Sequence, residues 1–156
     1  MSVKFGERKS VYEVEEGTIL APKFDQNGLI PVITTSAKNG EVLMHGYMNK
    51  EALQLSIKNK EAYYWSRSRN ALWHKGATSG LTQKIQSIRI DDDQDTIWLI
   101  VDVEGSGASC HVGYRSCFYR SITLDNEDNV KLKFEEDKKL FDPEIVYKGQ
   151  ENPTKL

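Results

Sequence analysis

Ile97-Trp98-Leu99-Ile100-Val101-Asp102-Val103 is the stretch on which the fold turns. Ile97, Leu99, Val101 and Val103 alternate with Trp98, Ile100 and Asp102. Side chains of a strand alternate between the two faces of a sheet, so this spacing predicts a strand with one apolar face. Upstream, Lys84 to Ile90 reads as a second strand, and Asp91-Asp92-Asp93-Gln94-Asp95 lies between the two. Further upstream, Leu29 to Thr35 reads as a strand with Pro31 near its start or at an edge. Lys38-Asn39-Gly40 signals a turn and Val42-Leu43-Met44 a return strand, which makes a hairpin. Asn49 is a good N-cap for a helix running to about Lys58, with Ala52, Leu53, Ser56 and Ile57 on one face. Ala62 to Ser66 is aromatic-rich and strand-like, and Phe118 to Leu124 is a further strand candidate. With many strands and one clear helix, the predicted class is α+β, a single domain rich in antiparallel sheet. Residues 21–125 carry these elements. Residues 1–20 read as a polar lead-in with little to hold it, and residues 126–156 as a charged tail docked by apolar residues such as Phe134 and Phe141, with Pro143 and Pro153 excluding one long helix.

The chain has 156 residues, 38% hydrophobic and 28% charged, and a net charge of −2, an ordinary balance for one globular domain. That charge argues against a nucleic-acid or anionic-membrane partner. No apolar run reaches the ~20 residues of a membrane helix. The first residues lack the apolar core of a secretory signal, so a cytoplasmic setting is expected. In that reducing setting Cys110 and Cys117 read as thiols or metal ligands rather than a disulfide.

Three stretches concentrate chemistry. Ser66-Arg67-Ser68-Arg69 precedes Trp73-His74-Lys75-Gly76-Ala77-Thr78-Ser79-Gly80. Arginine forks match phosphate oxygens, glycines let backbone amides approach an anion, and Trp73 can stack on a base. The plain alternative is a solvated basic loop. The aspartate run offers hard oxygen ligands that suit Mg²⁺, against the alternative of an acidic turn in solvent. In Ser109-Cys110-His111-Val112-Gly113-Tyr114-Arg115-Ser116-Cys117, two thiols flank a histidine, which suits zinc, against the alternative of inert buried cysteines. The three together describe one site: phosphate donors, a hard-metal cluster, and soft ligands beside an acid/base group.

These residues carry a resemblance. Gly40-Glu41-Val42-Leu43-Met44, Tyr47-Met48-Asn49-Lys50-Glu51-Ala52-Leu53, Trp65 to Arg69, Leu72 to Gly80 and Ser109 to Arg120 strongly resemble the phosphoribosyl-AMP cyclohydrolases of histidine biosynthesis. The likeness runs from about Phe24 to Arg120. It implies hydrolytic opening of an N1-ribosylated adenine at the N1–C6 bond, with both Zn²⁺ and Mg²⁺, in an intertwined homodimer whose zinc lies at the subunit interface. It maps Mg²⁺ to Asp91, Asp93 and Asp95, and two zinc ligands to Cys110 and Cys117. The family's third zinc cysteine, donated by the partner subunit, falls at Asp92. That is a departure: a carboxylate is a harder ligand than a thiolate. Asp92, His111 or water can complete the shell. Ala77 stands where many relatives carry glutamate and Leu81 where they often carry a polar residue. On this reading His111 moves protons, while Arg67, Arg69, Lys75, the Thr78-Ser79-Gly80 backbone and Arg115 hold phosphates and Trp73 stacks on the base. The length leaves no room for the phosphoribosyl-ATP pyrophosphohydrolase domain sometimes fused to this activity.

Three rivals differ in class. A zinc deaminase needs His-x-Glu with Pro-Cys-x-x-Cys, and this sequence has neither. A non-catalytic metal-binding dimer and a Mg²⁺ pyrophosphohydrolase remain open.

Overall fold

A computed structural model describes residues 3–156. In chain order its elements are α1 (Val11–Glu16), β1 (Ile30–Ser36), β2 (Val42–Met48), α2 (Lys50–Asn59), β3 (Tyr63–Ser66), β4 (Ala71–His74), β5 (Gln83–Ile90), β6 (Ile97–Val103), β7 (Arg120–Leu124), β8 (Val130–Phe134) and α3 (Pro143–Val146). The protein is α+β and forms one domain around a four-stranded sheet of order β2-β1-β6-β5.

The opening heptapeptide is β6 itself. Ile97, Leu99 and Val101 are at most 1% exposed, while Trp98 on the other face is 36% exposed. The alternation therefore reports a half-buried strand at the centre of the sheet. Its β5 neighbour is antiparallel, but its β1 neighbour is parallel, Val32 facing Ile97 and Ser36 facing Val101. The sheet is mixed: antiparallel pairing predominates, as expected, and β1–β6 adds a parallel pair. A parallel pair needs a long crossover. Here the crossover from β1 to β6 holds β2, α2, the β3–β4 hairpin and β5.

Helix α2 starts where Asn49 caps it: the Asn49 side chain accepts from the Ala52 amide at 2.9 Å. It stops where Lys60 takes φ 57°. Ser56, fully buried, ties it to the next strand by accepting from the Tyr63 amide at 2.9 Å and donating to the Ala52 carbonyl at 2.8 Å. The core gathers Ile30, Val32, Leu53, Tyr64, Leu99 and Val101 between sheet, helix and β3.

The lead-in is not loose. Arg8 donates to the Ala21 and Asp93 carbonyls at 2.7 and 2.8 Å. Gln94, buried in the aspartate turn, accepts from the Ala21 amide and donates to the Val14 and Ile19 carbonyls. Two further elements come from unexpected sequence. β4 takes residues that read as part of the basic loop, and β8 pairs with β7 inside the tail. No helix among the described residues is long and apolar enough to cross a membrane.

Candidate active site

A cavity of about 1080 Å³ opens beside the β2–β3 side of the domain. Ligand pockets typically span ~300–1,000 Å³, so a nucleotide fits. His45 and Tyr47 of β2, Tyr64 of β3, and Arg67 and Arg69 of the β3–β4 turn line it. Trp73 of β4 and Lys75 just beyond it add an aromatic and a cationic surface. From the 109–117 loop come Ser109, His111 and Cys117.

The arginines are arranged by local contacts. The Ser66 hydroxyl accepts from the Arg69 amide and from its Nε, both at 3.3 Å, which shapes the turn. The Arg67 guanidinium lies 4.1 Å from the centre of the Tyr47 ring, a cation–π contact that preorganises it. Arg69 sits over Trp73 at 5.6 Å. Trp73 thus meets the cavity with a cation already on its ring. His45 is held below its ordinary pKa, first by burial and then by the charge of Arg67.

Lys75 is the unexpected member. Sequence reading gave it to a surface phosphate loop, but it is 1% exposed and its Nζ donates to the Ser109 carbonyl at 2.6 Å. A buried ammonium is tolerated only with partners. Burial pushes its pKa down, and the Cys117 and Cys110 sulfurs pull it back up. The two thiols face each other. The hydrogen bond from Cys117 lowers Cys110 to about 7 against its burial, helped by the Val112 amide and Lys75, and the same contact pushes Cys117 up. The lowered Cys110 pKa, with the Lys75 amine nearby, favours a thiolate at that sulfur.

His111 is half-buried. Burial first, then the Lys75 charge, hold it below its ordinary pKa, while the Asn152 side chain, as an acceptor, raises it. Its Nε2 is buried without a partner. An orphaned buried polar atom is costly and points to a missing ligand, metal or water.

The aspartates form a second centre. Carboxylate oxygens of Asp91, Asp93 and Asp95 lie within 4.8 Å of one another, the one such group of three donors among the described residues. The Asp91 side chain accepts from the Asp95 and Thr96 amides at 2.9 and 3.0 Å. Burial raises Asp91, but those hydrogen bonds outweigh it, while Asp93 is raised by desolvation and by the neighbouring carboxylates. A divalent cation relieves that repulsion, and the donor set suits Mg²⁺. Two thiols fit zinc but are only half of a shell. Among the described residues no His, Asp or Glu lies within that distance of both sulfurs, and Asp92 is exposed on the aspartate turn.

The remaining candidates lie apart. Thr78, Ser79 and Gly80 form a turn outside the cavity wall, the Ser79 hydroxyl accepting from the Leu81 amide at 3.2 Å. Ala77 is exposed and Leu81 buried. Arg115 is bridged to Glu41 and, at 2.9 Å, to Glu136, so its guanidinium is already paired. Sequence reading missed His45, Tyr47 and residues 143–155 as cavity residues. The Tyr47 side of β2 was signalled only by its place in the quoted motif.

A nucleotide-sized cavity with arginines, an aromatic wall and a thiol pair, apart from a carboxylate cluster, suits an enzyme that acts on a phosphorylated base. The comparisons make this particular. The family model described as phosphoribosyl-AMP cyclohydrolase matches residues 44–119. A phosphoribosyl-AMP cyclohydrolase of Rhodopseudomonas palustris (strain BisA53) is 52% identical over 136 residues, covering 87% of this chain and 92% of that protein. Those of Bradyrhizobium diazoefficiens and Nitrobacter winogradskyi are 49% and 45% identical, covering 88% and 91% of this chain and 96% and 97% of the relatives. The chain belongs to the phosphoribosyl-AMP cyclohydrolase family.

Proposed function

We propose that this protein hydrolyses phosphoribosyl-AMP, adding water at C6 of the adenine and breaking the N1–C6 bond, a step of histidine biosynthesis. The observation that carries this is the junction, in one cavity, of Arg67 and Arg69 with Ser109, His111 and Cys117 of the thiol loop. The substrate brings two phosphates, and arginine forks are suited to them. Trp73 and Tyr47 offer aromatic faces near the base. His111, neutral near pH 7, takes and returns protons at the reacting nitrogens. Lys75 favours the thiolate of Cys110.

Cys110 and Cys117 would hold Zn²⁺, and Asp91, Asp93 and Asp95 would hold Mg²⁺. Zinc, when bound, supplies water whose pKa is lowered from 15.7 to about 7. The thiol pair needs a further donor, and on this reading Asp92 of a second copy provides it. A homodimer is supported by the β7–β8 hairpin, where Ile122, Leu124, Val130, Leu132 and Phe134 are all more than half exposed. Such an apolar patch calls for a partner surface. A reducing, cytoplasmic setting keeps both thiols available.

The test mixes the zinc-loaded protein with phosphoribosyl-AMP and follows the ultraviolet spectrum. Ring opening changes the purine chromophore without releasing phosphate, pyrophosphate or ammonia. Pyrophosphate release supports a pyrophosphohydrolase, ammonia a deaminase, and an unchanged spectrum a binding protein. Metal content is measured in parallel. Cys110→Ser and Cys117→Ser should each lose zinc and turnover, and Asp92→Ala should loosen zinc. Full turnover by a verified zinc-free Cys110→Ser variant overturns the metal assignment.

A further inference from the structure

We propose that the C-terminal segment Pro143–Lys155 is part of the nucleotide site: it walls the cavity that Arg67 and Arg69 line, and Asn152 within it positions His111. The identity of the ligand rests on the cyclohydrolase reading. The placement of the segment does not.

Tyr147, Lys148, Asn152 and Lys155 all face the cavity. This placement is not driven by core burial. Helix α3 buries no residue, and Ile145 is 75% exposed. The segment is instead delivered by an anchor on the thiol loop. The Leu140 amide donates to the Gly113 carbonyl at 2.7 Å. Gly113 has φ +108°, and a Cβ there would lie 2.5 Å from the Phe141 carbonyl oxygen, so the loop and the tail approach through a glycine. Beyond this anchor the Asp142 side chain caps α3 by accepting from the Glu144 amide at 2.9 Å, and Phe141 packs edge-on against Tyr147 at 5.9 Å. The chain then crosses the cavity mouth with polar side chains.

Two consequences follow from what those side chains touch. Asn152 and His111 line the same cavity, and the Asn152 side chain raises the His111 pKa, while the ring's Nε2 is buried and unpartnered. An acceptor beside an imidazole fixes the ring's tautomer and orientation, and Asn152 is placed to be that acceptor for His111. Lys148 adds a cation to a cavity that already holds Arg67 and Arg69, and Lys155 adds another, tied to Glu151 at 2.6 Å. A doubly phosphorylated ligand gains from Lys148, whereas Lys155 is already paired. Asn152 acts through His111 and is therefore a positioning residue.

The experiment compares the full-length protein, Asn152→Leu, Asn152→Asp, and a chain ending at Asp142, which keeps the Leu140 anchor. Asn152→Leu should lower kcat about tenfold with KM little changed, the signature of an interaction that matters in the transition state. Asn152→Asp keeps an acceptor and should recover most of the loss. The shortened chain should melt near the wild-type temperature and lose at least about tenfold in kcat/KM, with KM rising. In the full-length protein, 5′-AMP should slow tryptic cleavage after Lys148. Wild-type kinetics in both Asn152→Leu and the shortened chain overturn the proposal, as does a gain in kcat/KM on shortening, which marks the segment as a plug rather than a wall. If the shortened chain does not fold, the point variants and the protection assay decide: unprotected Lys148 together with wild-type kcat in Asn152→Leu overturns it. Absence of ring opening in the wild type defeats the cyclohydrolase reading alone, and 5′-AMP protection at Lys148 then still decides whether the segment walls the cavity.

Discussion

Removing one oxygen atom, in Tyr64→Phe, tests the polar frame beneath the site. Tyr64 is 1% exposed, and its hydroxyl sits 2.6 Å from the Thr34 hydroxyl and donates to the Gln83 side-chain oxygen at 2.6 Å. Gln83 in turn donates to the Met44 sulfur at 3.3 Å and the Ser109 hydroxyl at 3.4 Å, and the Ser109 carbonyl receives Lys75. The chain of contacts thus runs from β1 to the loop that carries both thiols. Burial pushes the Tyr64 hydroxyl well above its ordinary pKa, so it stays a donor at any working pH. Each of its hydrogen bonds contributes about 0.5–1.5 kcal/mol net, and a buried acceptor left bare costs about 1–3 kcal/mol. Thr34 can rotate its hydroxyl, but the Gln83 oxygen has no substitute donor, so a loss of about 3 kcal/mol is expected. At ~2–4 °C per kcal/mol for a chain of this size, the melting temperature should drop about 6–12 °C. Urea unfolding followed by tryptophan fluorescence measures it. A cycle with Gln83→Met isolates the pair, whose coupling should be about 1 kcal/mol or more. A Tyr64→Phe protein within about 0.5 kcal/mol of wild type refutes the reasoning, because that is the range of surface substitutions.

Other outcomes follow from single contacts. His111→Ala should keep zinc and fold but lower kcat by about 10²–10⁴, the usual contribution of an acid/base group; stopped-flow absorbance decides, and a near-normal rate removes His111 from proton transfer. Arg115→Met strands Glu41 and Glu136, so urea unfolding should show a loss of about 1 kcal/mol, modest because all three groups keep some solvent. Glu61 is held below its ordinary pKa first by the hydrogen bond from Lys84, then by His74, against burial. Its folded pKa is depressed, so its stabilisation is present above the unfolded value of about 4.3 and is lost as pH falls through the folded one. Thermal melts across that acid range should accordingly be flatter for Glu61→Gln than for wild type, and identical slopes count against the ion pair.

Much of the local structure was legible because its causes are local. Asn49 caps its own helix, and the Ile97–Val103 alternation needs only the geometry of a strand. The strands β4 and β8 escaped notice because each depends on a hairpin partner rather than on a pattern of its own. Ala71–His74 alternates weakly and pairs with Tyr63–Ser66, and Val130–Phe134 is exposed along its length. For the site, residue types near one another in sequence pointed to stretches that in part line the cavity. They could not say which charges face the cavity. Arg115 reads as a phosphate donor yet spends its fork on Glu41 and Glu136, and Lys75 reads as a surface cation yet lies under the thiols.

By itself the sequence determined the family, the face of β6, the start of α2 and the identity of the thiols, the histidine and the aspartates. Motif and periodicity are properties of neighbouring residues, so they survive without coordinates. Tertiary structure alone decided that β1 and β6 run parallel, that Gln94 and Arg8 lock the aspartate turn to the lead-in, and that the last residues cross the nucleotide cavity. Each joins positions tens of residues apart, and the physical reason is the same: such contacts are chosen by the competition of all surfaces for burial and hydrogen bonds, which no single stretch of sequence encodes.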